Sequence, residues 1–155
     1  MERYVRRHRT ILTNRLTEEN LQTVFALQDG VSRIHDALVQ GRGGTGLMDI
    51  IDFFAQLSAT TAPDRMRPRL AILSGATCIL LQPPYVEGTR KAGAEPLPGF
   101  LHPPRELWFN PANSPDEPPD RAHVLHLPAR LNGTLVAMAW TFDPEYLKRI
   151  AHGTR

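Results

Sequence analysis

The sequence predicts an α+β fold, and three patterns carry that prediction. Apolar residues recur at helical spacing through Leu21, Val24, Leu27, Val31, Ile34 and Leu38, and again through Leu47, Ile50, Ile51, Phe54 and Leu57. A continuous apolar stretch, Leu70 to Leu81, reads as buried sheet. The last third runs from one apolar stretch through Asn132-Gly133 to a second, and then to Asp143-Pro144-Glu145. The Asn-Gly pair marks a hairpin turn and the Asp-Pro-Glu triplet a capped helix.

The helices come first. Thr17 supplies a capping oxygen, and Glu18 and Glu19 sit favourably against the positive end of the helix dipole, so a helix is expected from there to about Gln40. Gly30 interrupts it, leaving a kink or two shorter helices as the alternative. Gly41 to Gly46 ends this element, and a second amphipathic helix is expected from Leu47 to about Ser58. A polar link, Thr60 to Arg69, leads to the sheet.

Leu70–Leu73 and Ala76–Leu81 flank Ser74-Gly75, which suits either a hairpin or one strand with a glycine bulge. A long loop follows over 83–121. It holds ten of the chain's 14 prolines, and Leu107-Trp108-Phe109 is its expected short strand. Val124–Leu127 and Thr134–Phe142 are expected as the strands of the closing hairpin. In the second, Leu135, Ala137 and Ala139 alternate with Val136, Met138 and Trp140, so both faces are apolar and the strand is expected to be central. Asp143 caps the last helix, Pro144 occupies its first position and Gly153 stops it.

Size and composition bound the rest. A chain of 155 residues, 41% hydrophobic and 22% charged, is one ordinary domain that buries about two-thirds of its unfolded surface. The single cysteine, Cys78, excludes an internal disulfide framework and a multi-cysteine zinc site, and fits a reducing cytoplasm. The basic N-terminus lacks the apolar core of a secretory signal. No apolar run approaches the roughly 20 residues of a membrane span, so the expected protein is soluble, with no membrane partner. The net charge is +2, but residues 1–16 alone carry +4, and the body of the domain is expected to begin at residue 17. Arg3, Arg6, Arg7 and Arg9 form a basic arm that is either a solvated terminus or a phosphate-neutralising contact with nucleic acid.

The motifs that suggest chemistry are few. Gly41-Arg42-Gly43-Gly44-Thr45-Gly46 has the spacing of a dinucleotide fingerprint but follows a helix where that mechanism needs a strand, and Leu47 stands where a phosphate loop needs lysine. His123 and His126 fall on opposite faces of a strand, and no acid or thiol completes a metal site around them. Cys78 in an apolar strand reads as a small buried hydrophobe. The loop residues Tyr85, Arg90, Lys91, Phe100, His102, Arg105 and Trp108 mix rings with cationic heads, which suits a planar anionic ligand, with His126 able to point into the same pocket.

Two stretches of the C-terminal third resemble the GAF family of small-ligand sensor domains. They are Leu127-Pro128-Ala129-Arg130-Leu131-Asn132-Gly133-Thr134-Leu135-Val136-Ala137 and Phe142-Asp143-Pro144-Glu145-Tyr146-Leu147. The resemblance covers about residues 121–152. It implies a profilin-like fold with a central antiparallel sheet, helices on one face and the long loop on the other. The function it implies is a non-catalytic sensory or regulatory domain that binds a small molecule or a protein partner. Family pairing through terminal helices, together with Phe25 beside the apolar stripe, leads to the expectation of a homodimer. The nucleic-acid accessory role of the arm is the alternative reading. A cysteine enzyme working through Cys78 is a remote one, because GAF enzymes acting on oxidised methionine use several cysteines. The sequence specifies no cofactor, metal or catalytic residue.

Overall fold

The computed structural model describes residues 1–31, 46–58, 69–96 and 102–139. The helix expected over 32–40, the glycine segment up to residue 45, most of the link to Arg69, Phe100, the strand end at Trp140 to Phe142 and the closing helix all lie outside the described residues.

Helix α1, Glu2–Arg7, turns Tyr4 and Val5 inward and leaves Arg3, Arg6 and Arg7 exposed. A 3-10 turn at Arg9–Ile11 and a bridge between Thr13 and Leu16 carry the chain to α2, Glu18–Ala26. Residues 1–16, read from sequence as a basic arm, therefore place Tyr4, Val5 and Leu16 in the core. The start of α2 is the predicted one: the Thr17 N–H donates to Asn20 Oδ1 at 2.7 Å.

Its end is not where the periodicity runs to. Gln28 donates from Nε2 to the Val24 carbonyl at 2.6 Å and to the Leu107 carbonyl at 2.9 Å, and its Oε1 receives the Leu107 N–H at 2.7 Å. That side chain closes the helix against the loop, ahead of Gly30, whose φ of 77° turns the chain away. Helix α3, Gly46–Ser58, matches expectation and buries Met48, Ile51, Phe54 and Ala55 along one stripe.

Among the described residues the strands form two separate two-stranded sheets, one long and one short. β1, Arg69–Leu81, pairs antiparallel with β4, Val124–Ala139, while β2, Thr89–Arg90, pairs antiparallel with β3, Arg105–Glu106. This corrects the expected closing hairpin. The runs on either side of Asn132-Gly133 belong to one strand, and both pair with β1. The register runs Ser74 to Thr134, Gly75 to Leu131 and Thr77 to His126, so Asn132 and Gly133 are inserted at one step and 127–130 face Ala76 alone at the next. Gly133 has a φ of 129°, a conformation that serves a bulge as well as a turn. Ser74-Gly75 likewise lies within one strand, with Gly75 at φ 58° opposite the residues inserted in β4.

A second correction concerns burial. The strand expected to be covered on both faces forms, among the described residues, one side of a two-stranded ribbon, with Leu135 51% and Met138 40% exposed. The stretch 131–139 carries no charge, so its composition alone cannot distinguish a covered strand from an open one. Opposed residues share a face. Leu70, Ile72 and Val136 thus point to the core, and Leu73 and Leu135 point outward.

The short strand expected at Leu107–Phe109 is also corrected. The ladder stops at Glu106, and Leu107, Trp108 and Phe109 enter the core as irregular chain, with Phe109 at φ 56°. Asn110 holds that shape by donating from Nδ2 to the Ser114 and Glu117 carbonyls at 2.8 and 3.0 Å.

Candidate functional site

The side chains expected to form one ligand surface on the long loop have separate environments. Tyr85 is buried, its ring edge-on to His123 at 4.7 Å. Burial pushes its hydroxyl pKa upward, helped by Asp120 and Glu117. Trp108 is buried against Tyr4 at 4.9 Å and donates from Nε1 to Glu106 Oε2 at 2.8 Å. His102 is exposed, and Phe100 lies outside the described residues. His126 is half-buried, its Nδ1 3.5 Å from Thr17 Oγ1, whereas His123 sits against the Leu80 carbonyl at 3.1 Å.

Arg105 is the most committed of the set. Its guanidinium is buried and meets Asp29 at 2.7 Å, Asp49 at 2.6 Å and Asp52 at 2.6 Å. Burial opposes its charge, but the hydrogen bonds to Asp29, Asp49 and Asp52 outweigh burial and hold the group more firmly protonated than usual. It joins the end of α2, helix α3 and strand β3.

Of the arginines at the N-terminus, Arg7 pairs with Asp116 and donates to the Pro115 carbonyl. Arg6 and Arg9 line a notch of about 310 Å³ together with Glu2 and Glu18, so acids share the basic surface. Phe25, expected to widen an outward apolar patch, packs beside Tyr4 and Trp108 at 6.1 and 6.2 Å. Cys78 is buried opposite Leu125, and burial raises its thiol pKa, away from the thiolate a nucleophile requires. Among the described residues no group of three or more His, Cys, Asp or Glu could hold a metal ion.

Among the described residues a larger concavity lies elsewhere, between α2, the start of α3 and the inner face of the ribbon. It is a cleft of about 640 Å³, within the size range of small-molecule sites. Phe25, Leu27, Val31, Leu47 and Ile72 give it apolar walls, while Glu19, Gln22, Thr23, Ser74 and Thr134 supply polar atoms. The walls follow from helical period and strand alternation: Thr23 and Ala26 follow Glu19 and Gln22 at helical spacing, and Ile72 and Ser74 are alternate residues of β1.

The polar atoms are mostly engaged. Thr23 donates to the Glu19 carbonyl at 2.8 Å, and Gln22 donates to Glu18 at 3.0 Å. Glu19 accepts the Ala76 N–H at 3.2 Å and receives Arg130 at 2.9 Å, so it fastens α2 across the double bulge. Ser74 Oγ and Thr134 Oγ1 lie 3.0 Å apart.

Sequence reading missed two residues here. Asn20 is completely buried and donates to Thr77 Oγ1 at 2.8 Å and to the Leu125 carbonyl at 3.4 Å, pinning α2 to both long strands. Its signal was its place three residues after the capping Thr17. Glu19 reads from sequence as a dipole-compensating acid, and nothing local announces its reach to β1 and β4.

Comparison with protein-family models, curated proteins and solved structures finds no match. Among the described residues, no helix is long and apolar enough to cross a membrane.

Proposed function

We propose that this chain is a non-catalytic regulatory domain of sensor type, working in the cytoplasm, that binds a small molecule between α2, α3 and the β1–β4 ribbon. The observation that carries this reading is the 640 Å³ cleft, whose apolar walls are joined by polar side chains that mostly bond to one another or to backbone. The sensor role takes its family from the GAF resemblance over residues 121–152, and its site from the cleft in place of the loop surface read from sequence. The cleft touches both long strands at their double bulge, so an occupant would contact helix and sheet together.

The test is a fragment screen by ligand-observed NMR on the whole chain and on Ala26→Trp. Ala26 lines the cleft from an exposed position on α2, so a larger side chain there fills the space without entering the core. Fragments that bind the native protein and are lost with Ala26→Trp support the site. Fragments that bind both proteins equally, or neither, reject it.

A further inference from the structure

Resting on that reading of the cleft, we infer that its ligand is an uncharged, largely apolar molecule carrying one hydroxyl or carbonyl group, bound with that group at the Ser74–Thr134 pair. Two hydroxyls sharing one hydrogen bond at 3.0 Å leave one O–H donor and spare lone pairs, the complement of a single neutral polar group. The other polar side chains of the lining are less available. The Thr23 hydroxyl proton goes to the Glu19 carbonyl, and the Gln22 amide reaches Glu18.

Charge decides against an anion. Among the described residues, the side chains lining the cleft include no Arg, Lys or His, and Glu19 is their one ionisable group. Arg130 offsets part of that charge, but its side chain is two-thirds exposed and it does not line the cleft. A carboxylate or phosphate entering here would lose water and meet a carboxylate, and among the described lining residues only the terminal ammonium of Met1 would oppose its charge. An uncharged hydrocarbon body loses nothing of that kind against Phe25, Val31, Leu47 and Ile72.

Three probes of equal chain length separate the possibilities: 1-decanol, decanoate and decyltrimethylammonium, titrated by calorimetry into the whole chain at pH 7.5. The expected result is that decanol binds about tenfold or more tightly than decanoate. Glu19→Gln keeps an acceptor for the Ala76 N–H and should narrow that gap at least threefold, while Ala26→Trp should abolish binding of decanol. Because Met1 also lines the cleft, the ranking is repeated on protein bearing an uncharged extension ahead of Met1, and it should be unchanged.

Decanoate binding as tightly as decanol would overturn the ligand class while leaving the cleft in place. So would preference for the quaternary cation over the alcohol. Absence of binding by all three, or binding indifferent to Ala26→Trp, would overturn the site itself. A native dimer that becomes monomeric in Ala26→Trp would put a second copy in the cleft and equally overturn the proposal.

Discussion

Asp29 and Arg105 hold each other through four hydrogen bonds. The Arg105 N–H and Nε donate to Asp29 Oδ2 at 2.9 and 2.7 Å, Nη2 donates to Oδ1 at 3.2 Å, and the Asp29 N–H returns to the Arg105 carbonyl at 3.2 Å. Asp49 and Asp52 complete the shell from α3. One guanidinium thus fixes the turn after α2, helix α3 and the second small strand in register.

Arg105→Lys is expected to destabilise the fold by about 3 kcal/mol, because a single ammonium cannot satisfy three carboxylates in that geometry and a buried acid is left uncompensated. Asp49→Asn should cost less than about 1 kcal/mol, since that side chain is 59% exposed. Urea unfolding of the two variants gives both numbers, and a loss for Asp49→Asn equal to that for Arg105→Lys would show that the exposed acid matters as much as the buried guanidinium.

Tyr4 is the counter-example, a buried hydroxyl with no hydrogen-bond partner. Tyr4→Phe should stabilise the protein by about 1 kcal/mol at pH 7. Burial raises the folded-state pKa of Tyr4 above its ordinary value of 10.0, so above that pH the unfolded chain loses the proton first and stability falls as pH rises. Thermal unfolding between pH 8 and 11 should show a shallower alkaline decline for Tyr4→Phe. A smaller slope should persist from Tyr85, whose pKa is also raised by burial.

Gly75 and Gly93 form a matched pair. Both have positive φ, 58° and 76°, but a Cβ at Gly75 would run into the Glu19 carboxylate, whereas at Gly93 it meets open space. Gly93→Ala should cost about 1 kcal/mol from backbone strain alone. Gly75→Ala should cost about 2 kcal/mol or more, because Glu19 must also abandon the Ala76 N–H. Equal losses in chemical denaturation would mean that Glu19 moves aside freely.

Cys78 should resist alkylation in the native protein at pH 7.5 and react only as fast as the sheet opens. Mass spectrometry after a timed pulse of iodoacetamide measures this, and immediate stoichiometric labelling would contradict the buried, pKa-raised thiol.

Much of this fold was legible in the sequence wherever a pattern is local. Thr17 with the acids after it marks the start of α2, and the 47–57 periodicity gives α3 almost to the residue. What failed was long-range. Asn132-Gly133 has the same letters in a hairpin turn and in a bulge, and only the partner strand decides between them. That partner is β1, whose own break at Gly75 lies opposite. The loop's cations and rings looked like a ligand surface because sequence shows residue type but not direction. Arg105 points to Asp29, 76 positions away in sequence, and Trp108 packs on Tyr4. The cleft was illegible for the same reason, since its described walls come from five segments that share no motif.

The double bulge divides the ribbon into halves with different fates. On one side Thr77, Cys78 and Ile79 are buried together with Val124, while on the other Thr134, Leu135, Ala137, Met138 and Ala139 are exposed. Amide protons in the first half should exchange with solvent only when the whole molecule unfolds, and those beyond Gly133 should exchange through local fraying at far lower cost. The chain therefore carries, within one continuous pair of strands, both an anchor of its cooperative folding unit and a segment whose order is separately adjustable, with Glu19 and Arg130 standing at the border between them.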